Sequence, residues 1–305
     1  MRAVRAHRRG GPRELVVETV PVPPFAPNEV LVAVHAAAIT FAELGWDETW
    51  THAPVIPAHE FSGVVVDRGV EVTNAERGDP VYGLIRFDRQ GAAAEYVAVP
   101  AGDIAGKPTS LSHAEAAALP LAALTAWQGL FDLAKVQHGE HVLVLGGAGG
   151  VGAFAMQLAK NSGAVVTATA RGEGVAFCRE LGADVVIDSD RDDFTSDGRI
   201  FDVVFDTVGG DALTQAFKVL VPRGRLVTLQ GPPDQKRAEQ AGVDAFFFIV
   251  SPDVVELEAI ADLADRGLLR VALAATYSLE RGREAFESGS SEGRAPGKTV
   301  MIVRE

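Results

Sequence analysis

A single cysteine, Cys178, stands in a chain of 305 residues. One thiol makes no intrachain disulfide and builds no cysteine-ligated metal centre. Long apolar runs are scarce as well. The longest wholly apolar stretch is AFFFIV at 245–250, whereas a membrane-spanning helix needs about 20 such residues. Positive charge is in deficit: 28 Lys and Arg face 41 Asp and Glu, a formal net charge of −13. Such a chain is a poor candidate for holding nucleic acid or an anionic membrane through a broad basic face. The start, MRAVRAHRRGGPREL, is basic, yet no apolar core of a secretory signal follows it. Neither an internal repeat nor a low-complexity tract is present. These absences set the expectation of a soluble cytoplasmic protein that works on small molecules, with neither nucleic acid nor membrane as partner.

What is present falls into two parts, as the length suggests. Up to about residue 110 the chain reads as short strands, at 15–20, 29–39, 60–69, 79–85 and 92–100. Pro, Gly and Asn separate them, the pattern of a barrel-like or sandwich-like domain. Near Ser112 the composition turns helical, with Pro120 as an interruption. Strand and helix patterns then alternate. Six strands are expected, at 141–146, 164–169, 183–188, 201–209, 224–229 and 244–250, with helices at 150–162, 173–181 and 253–266. These strands are almost purely apolar, as strands covered on both faces must be. The pattern predicts a doubly wound parallel six-stranded sheet, an α/β fold. After it, VALAATYSL and KTVMIVRE return to the first domain. The expected division is 1–112 with 267–305 as one domain and 113–266 as the other.

The densest glycine cluster opens that second part. Gly147-Ala148-Gly149-Gly150-Val151-Gly152 fits G-x-G-x-x-G, follows an apolar strand and starts an amphipathic helix. In that context the motif marks a dinucleotide site. Gly147 takes the tight turn, Gly149 lets the backbone approach a pyrophosphate, and Gly152 lets the helix press on the strand. The next strand ends in TATARGEG. Thr169 stands where an NAD site carries a carboxylate, and Arg171 suits a 2′-phosphate, so the reading is NADPH. Arg171 also reads as a plain loop charge, and Glu173 lies close, at the start of the next helix.

Taken together, PAHEFSGVV (57–65), AAALPLAALTAW (116–127), GGAGGVG (146–152), LGADVVID (181–188), FDVVFDTVGG (201–210) and GKTVMIV (297–303) make the chain resemble the medium-chain dehydrogenase/reductase superfamily. Its zinc-independent, quinone oxidoreductase-like branch is the one resembled, over essentially the whole length. The resemblance implies a GroES-like β domain with an inserted Rossmann domain, and the nicotinamide in the cleft between them. It places Thr125 near the nicotinamide and Ala148 to Val151 on the pyrophosphate. Thr169, Ala170 and Arg171 fall on the adenosine ribose, Val208, Leu229 and Gln230 on the nicotinamide ribose, and Phe247 and Phe248 on the carboxamide. Lys298 falls on the cofactor, although a lysine beside a strand is as readily a surface charge.

In the zinc alcohol dehydrogenases of that superfamily the metal sits on Cys, His and Cys. Here Thr40 and Leu121 stand at the cysteine positions and only His59-Glu60 remains, so no metal is expected. His59 then reads as a hydrogen-bonding wall of the cleft. Without a Lewis acid, hydride transfer needs an acceptor activated by conjugation: a quinone, an enone or an enoyl thioester. Candidate donors to the developing oxyanion are Thr40 and Tyr82. TFAE at 40–43 departs from the branch's usual N-P-x-D. Trp46, Trp50 and Phe87 are candidates to stack on a substrate, or are domain packing. Arg86 is a candidate for an acidic substrate, or a surface charge. The main reading is a quinone or enone reductase. The alternatives are an enoyl-thioester or tailoring reductase, and a non-catalytic nucleotide- or RNA-binding relative. The apolar last strand, 244–250, lies at a sheet edge and implies a homodimer.

Overall fold

A computed structural model describes residues 1–196, 198–291 and 293–304. The first part contains β1 (Arg2–Ala6), β2 (Leu15–Thr19), β3 (Glu29–Ile39), β4 (Glu60–Arg68), β5 (Pro80–Leu84), β6 (Tyr96–Pro100) and β7 (Ile104–Gly106). Helices α1 (His113–Ala117) and α2 (Pro120–Trp127) follow. The second part runs β8 (His141–Leu145), α3 (Gly150–Asn161), β9 (Val165–Ala170), α4 (Gly174–Glu180), β10 (Val185–Asp188), β11 (Phe201–Asp206), α5 (Gly210–Ala216), β12 (Leu220–Thr228), α6 (Gln235–Ala241), β13 (Asp244–Phe247) and α7 (Val254–Asp265). The chain closes with β14 (Leu273–Ser278), α8 (Gly282–Glu287) and β15 (Lys298–Ile302).

Strands β8 to β13 form one sheet in the order β10-β9-β8-β11-β12-β13, with every pair parallel. The six expected strands are all there, in the doubly wound arrangement. Strand order reverses at β8, which pairs with β9 on one side and β11 on the other. In such a sheet the crevice beyond the carboxyl ends of the strands at the reversal is where ligands bind. Val142, Leu143, Val144, Val203, Val204 and Phe205 are buried without exposure because helices cover both faces.

A second sheet has the order β14-β15-β3-β4-β5-β7, with β6 also on β3. Thr299 lies opposite Ile39, so the C-terminal strand completes the N-terminal domain. The architecture is thus a GroES-like β domain joined to a Rossmann-type α/β unit. Pro120 divides the helical stretch as expected. Ser112 and Glu115 form a capping box on α1, and Pro120 occupies the first turn of α2, where its missing N–H costs nothing.

Several local readings differ, and helices α5, α6 and α8 have no counterpart among the expected elements. Strand β1 lies in the basic start; its pairing with β2 buries Ala3, Val4 and Ala6 while the arginines face outward. Strand β7 was too short to be read. The last strand of the parallel sheet stops at Phe247 rather than residue 250, because its neighbour β12 ends at Thr228, opposite Phe247, and leaves 248–250 no strand to pair with.

Candidate functional site

The glycine turn joins β8 to α3 at the point of reversal. The left-handed backbone of the turn belongs to Gly146, at φ +81°, one residue before the glycine expected to take it. Gly147 is glycine for want of room: a Cβ there would stand 2.8 Å from Ala168 Cβ and Met156 Sδ and 3.0 Å from Cys178 Sγ. At Gly152 a Cβ would lie 2.2 Å from the Gly146 carbonyl oxygen. Only glycine allows α3 to start this close to the end of β8. The Thr169 hydroxyl accepts a bond of 3.0 Å from the Gly146 N–H, and Gly147 N–H donates to the Thr169 carbonyl at 2.9 Å. Thr169 therefore braces the turn as well as ending β9.

No side chain caps α3, and its first backbone bond runs from Ala153 N–H to Gly149. The N–H groups of Gly150, Val151 and Gly152 are left pointing out of the helix end. Beside them lies a groove of about 610 Å³ lined by Leu145, Gly146, Ala148, Gly149, Thr169, Ala170, Arg171, Ser189, Asp192, Asp193, Phe194, Val208, Ala212 and Gln215. An uncapped helix end above a groove of this size fits the pyrophosphate and adenosine of a dinucleotide. The structure brings Ala148, Gly149, Thr169, Ala170, Arg171 and Val208, all candidates from the sequence, together along this one groove. Arg171 is 74% exposed, and its Nε lies 3.6 Å from Asp190 Oδ1. Asp192 and Asp193, on the loop after β10, line the same groove.

The cofactor candidates Thr125, Leu229, Gln230, Phe247, Phe248 and Lys298 lie outside the lining of that groove. Thr125 is buried, and its hydroxyl donates to the Leu121 carbonyl one turn back at 2.6 Å. Gln230 donates to the Thr207 carbonyl at 2.9 Å. Leu229 and Phe248 pack on the larger core, and Phe247 is exposed at the end of β13. Lys298 is no surface charge. Its Nζ bonds to Glu60 Oε1 out of water, and its stem lies over the glycine turn, 3.0 Å from where a Gly150 Cβ would be.

A second cavity, of about 400 Å³, is lined by Glu48, Leu84, Ile85, Arg86, Phe87, Asp88, Val250, Ser251 and Pro252. Its one wall follows the carboxyl end of β13; the other belongs to the β domain. Phe87 lines it, and Trp46 packs edge-on against Phe87 with ring centroids 5.0 Å apart. Arg86 lines it too, but its Nε holds the buried Asp103 at 3.1 Å, so its charge is already answered.

Three expected site residues are corrected. Tyr82 cannot give a proton to a ligand: it is fully buried and donates to the Leu257 carbonyl at 2.5 Å, tying β5 to α7, and burial drives its phenol further up. His59 is not a cleft wall. It is buried, with Nδ1 2.8 Å from Glu43 Oε2 and Nε2 3.2 Å from the Arg89 carbonyl. Trp50 donates its indole N–H to the Leu44 carbonyl at 2.8 Å and packs on the β-domain core, so its face is not offered to a substrate. Thr40 is half-buried at the end of β3, and its hydroxyl is unengaged among the described residues.

These contacts also decide how the site suits zinc. A metal takes imidazole through a free ring lone pair, whereas both nitrogens of His59 face acceptors. Thr40 and Leu121 offer no thiolate. Among the described residues no group of three or more His, Cys, Asp or Glu could hold a metal ion. The donor set does not fit zinc.

Residues 26–109 match the alcohol dehydrogenase GroES-like domain, and residues 181–301 match the model described as zinc-binding dehydrogenase. The chain is 35% identical to the 2-methylene-furan-3-one reductase of Solanum lycopersicum, over 92% of this chain and 74% of that protein. It is 36% identical to the chloroplastic NADPH-dependent alkenal/one oxidoreductase of Arabidopsis thaliana, over 73% of this chain and 60% of that one. The structure of the quinone oxidoreductase from Coxiella burnetii superposes with a TM-score of 0.92 at 32% identity, covering 100% of this chain and 99% of that one. With its GroES-like sheet, its six-stranded parallel sheet and its glycine turn, this chain belongs to the quinone oxidoreductase-like branch of the medium-chain dehydrogenases/reductases, and is a nicotinamide-dependent oxidoreductase.

Proposed function

We propose that the chain is an NADPH-dependent, metal-free reductase of uncharged quinones and enones. The observation that carries the reading is the 400 Å³ cavity at the carboxyl edge of the parallel sheet. Leu84, Ile85, Phe87, Val250 and Pro252 make its walls apolar. Its charges are Glu48, Asp88 and an Arg86 neutralised by Asp103. The balance is negative and repels an anionic acceptor. This favours a neutral, flat, conjugated carbonyl over a phosphate-bearing acyl thioester. It also turns Arg86 away from its expected role with acidic substrates.

When bound, the reduced nicotinamide supplies a hydride to an acceptor activated by its own conjugation. The chain's residues hold and orient the rest. The free N–H groups of Gly150, Val151 and Gly152 would hold the pyrophosphate, and Arg171 would pair with the 2′-phosphate. Thr40 remains the candidate donor to a developing oxyanion. The names of the two plant relatives and of the bacterial structure, which act on enones, alkenals or quinones, support this class.

The test is oxidation of NADPH and NADH against quinones, enones, enoyl thioesters and aldehydes, with and without chelator. Chelator-insensitive turnover of quinones or enones with NADPH is expected. Preference for a thioester, or turnover lost with chelator, overturns the reading.

The division at residues 112/113 and 266/267 belongs to the same proposal, as does a cytoplasmic place, supported by the acidic composition and the single thiol. No helix among the described residues is long and apolar enough to cross a membrane. We also propose a homodimer through residues 244–250. Strand β13 is an edge of the sheet, with Phe247 and Ile249 exposed, and a second copy across a two-fold would cover it. Light scattering at micromolar concentration that finds a monomer counts against it.

A further inference from the structure

Helix α2 does not end at a cap. It runs on into a π-helical turn, Gln128–Leu133, and Gln128 is its first residue. Turns of this kind redirect side chains, often at functional sites. The Gln128 side chain is buried and crosses to the segment that follows β13. Its Nε2 donates to the Ser251 carbonyl at 2.9 Å and to Glu256 Oε2 at 2.7 Å, while its Oε1 accepts from the Ser251 N–H at 3.3 Å. The amide orientation is unambiguous, because the reverse would set its oxygen against two acceptors. One side chain therefore satisfies both backbone groups of Ser251, as a neighbouring strand would.

Ser251 itself is exposed. It lies between Val250 and Pro252, and these three form one wall of the 400 Å³ cavity. The chain around it is outside any helix or strand. Among the described residues the Gln128 carboxamide supplies the backbone bonds of Ser251. The opposite wall, Leu84 to Asp88, starts from β5 of the β-domain sheet and needs no such brace.

We propose that Gln128 is a positioning residue: its carboxamide fixes the backbone of Ser251, and with it the 250–252 wall of the acceptor cavity, so that losing it weakens acceptor binding and spares dinucleotide binding. The proposal rests on reading that cavity as the acceptor site. The dinucleotide groove lies at β8 and β9, with no residue shared with this wall.

The test is Gln128→Leu, of nearly the same size but unable to form the three bonds. In full-length protein, amide hydrogen exchange in a peptide spanning 249–253 should quicken roughly five- to tenfold, while peptides of β8 and β11 keep their rates. With 1,4-naphthoquinone as acceptor, KM should rise by a similar factor, and kcat and NADPH affinity should stay within about twofold. Gln128→Asn keeps the carboxamide one methylene short and should move the same quantities in the same direction; it decides the matter if the leucine variant does not fold. Unchanged exchange at 249–253 overturns the proposal. So does an equal quickening in β8 and β11, which is the mark of a merely structural residue. A wild-type chain that turns over neither quinones nor enones refutes the reading of the cavity, and the exchange result still decides the role of Gln128.

Discussion

Lys298 and Glu60 form an ion pair that water barely reaches, with side chains 8% and 1% exposed. Glu60 also accepts from the Leu121 N–H at 3.1 Å, so one carboxylate joins β4, β15 and the start of α2 beneath the glycine turn. Burial pushes its carboxyl above the usual range, and Lys298 opposes that push. Lys298→Met leaves the carboxylate buried and unanswered, and should cost about 3–5 kcal/mol. Glu60→Gln in the same chain keeps an acceptor for Leu121 and should restore most of the loss. Urea unfolding of the single and double variants measures this; losses that add would show that the two side chains act separately.

Arg171 should discriminate between the two nicotinamide cofactors, but modestly. It is largely exposed and shares its charge with Asp190. Solvent screening then holds the effect of Arg171→Ala to about a three- to tenfold loss of NADPH affinity, with NADH nearly unchanged. Asp190→Asn should act the other way and tighten NADPH. Fluorescence titration of both cofactors at low and high salt checks both variants. Equal losses for the two cofactors would mean that Arg171 supports the fold or the shared pyrophosphate.

Glu256 gives stability a fall as pH rises from about 4.5 to about 7. Burial, and the Asp132 and Asp253 carboxylates nearby, raise it from 4.5 to about 7. Between those values the folded chain holds a proton that the unfolded chain has released, so stability falls as pH rises through the window. The carboxyl is partly exposed, which limits the effect to on the order of 2 kcal/mol. Glu256→Gln still accepts from Gln128 and should flatten the profile. Denaturant midpoints from pH 4.5 to 8 measure it; an unchanged slope in the variant would assign the fall to another group.

Cys178 should stay silent toward thiol reagents in the native state. It is fully buried under the glycine turn, and burial raises its thiol to about 12. A chromogenic disulfide reagent should find no reactive thiol in folded protein and one per chain in denaturant. Fast labelling of native protein would mean that α4 opens readily.

The apolar strands, the glycine-closed helices between them and the position of the dinucleotide turn were determined by the sequence alone. Burial on both faces demands near-continuous apolar strands, and a backbone carbonyl 2.2 Å from a would-be Cβ at Gly152 admits no other residue. Such local constraints leave local marks. Partners distant in the chain leave none. Tyr82 reads as a donor to the developing oxyanion until Leu257 is seen to take its hydroxyl, 175 residues on. Lys298 reads equally as a cofactor contact and as a surface charge until Glu60 meets it across 238 residues. His59 stands in the motif of a cleft residue, yet Glu43 and Arg89 close it off. Val250, the first residue of the cavity wall, reads as the end of a strand because AFFFIV is apolar throughout. Only the packed structure brings Gln128 to Ser251, since a side chain that replaces a strand's hydrogen bonds has no periodicity to betray it.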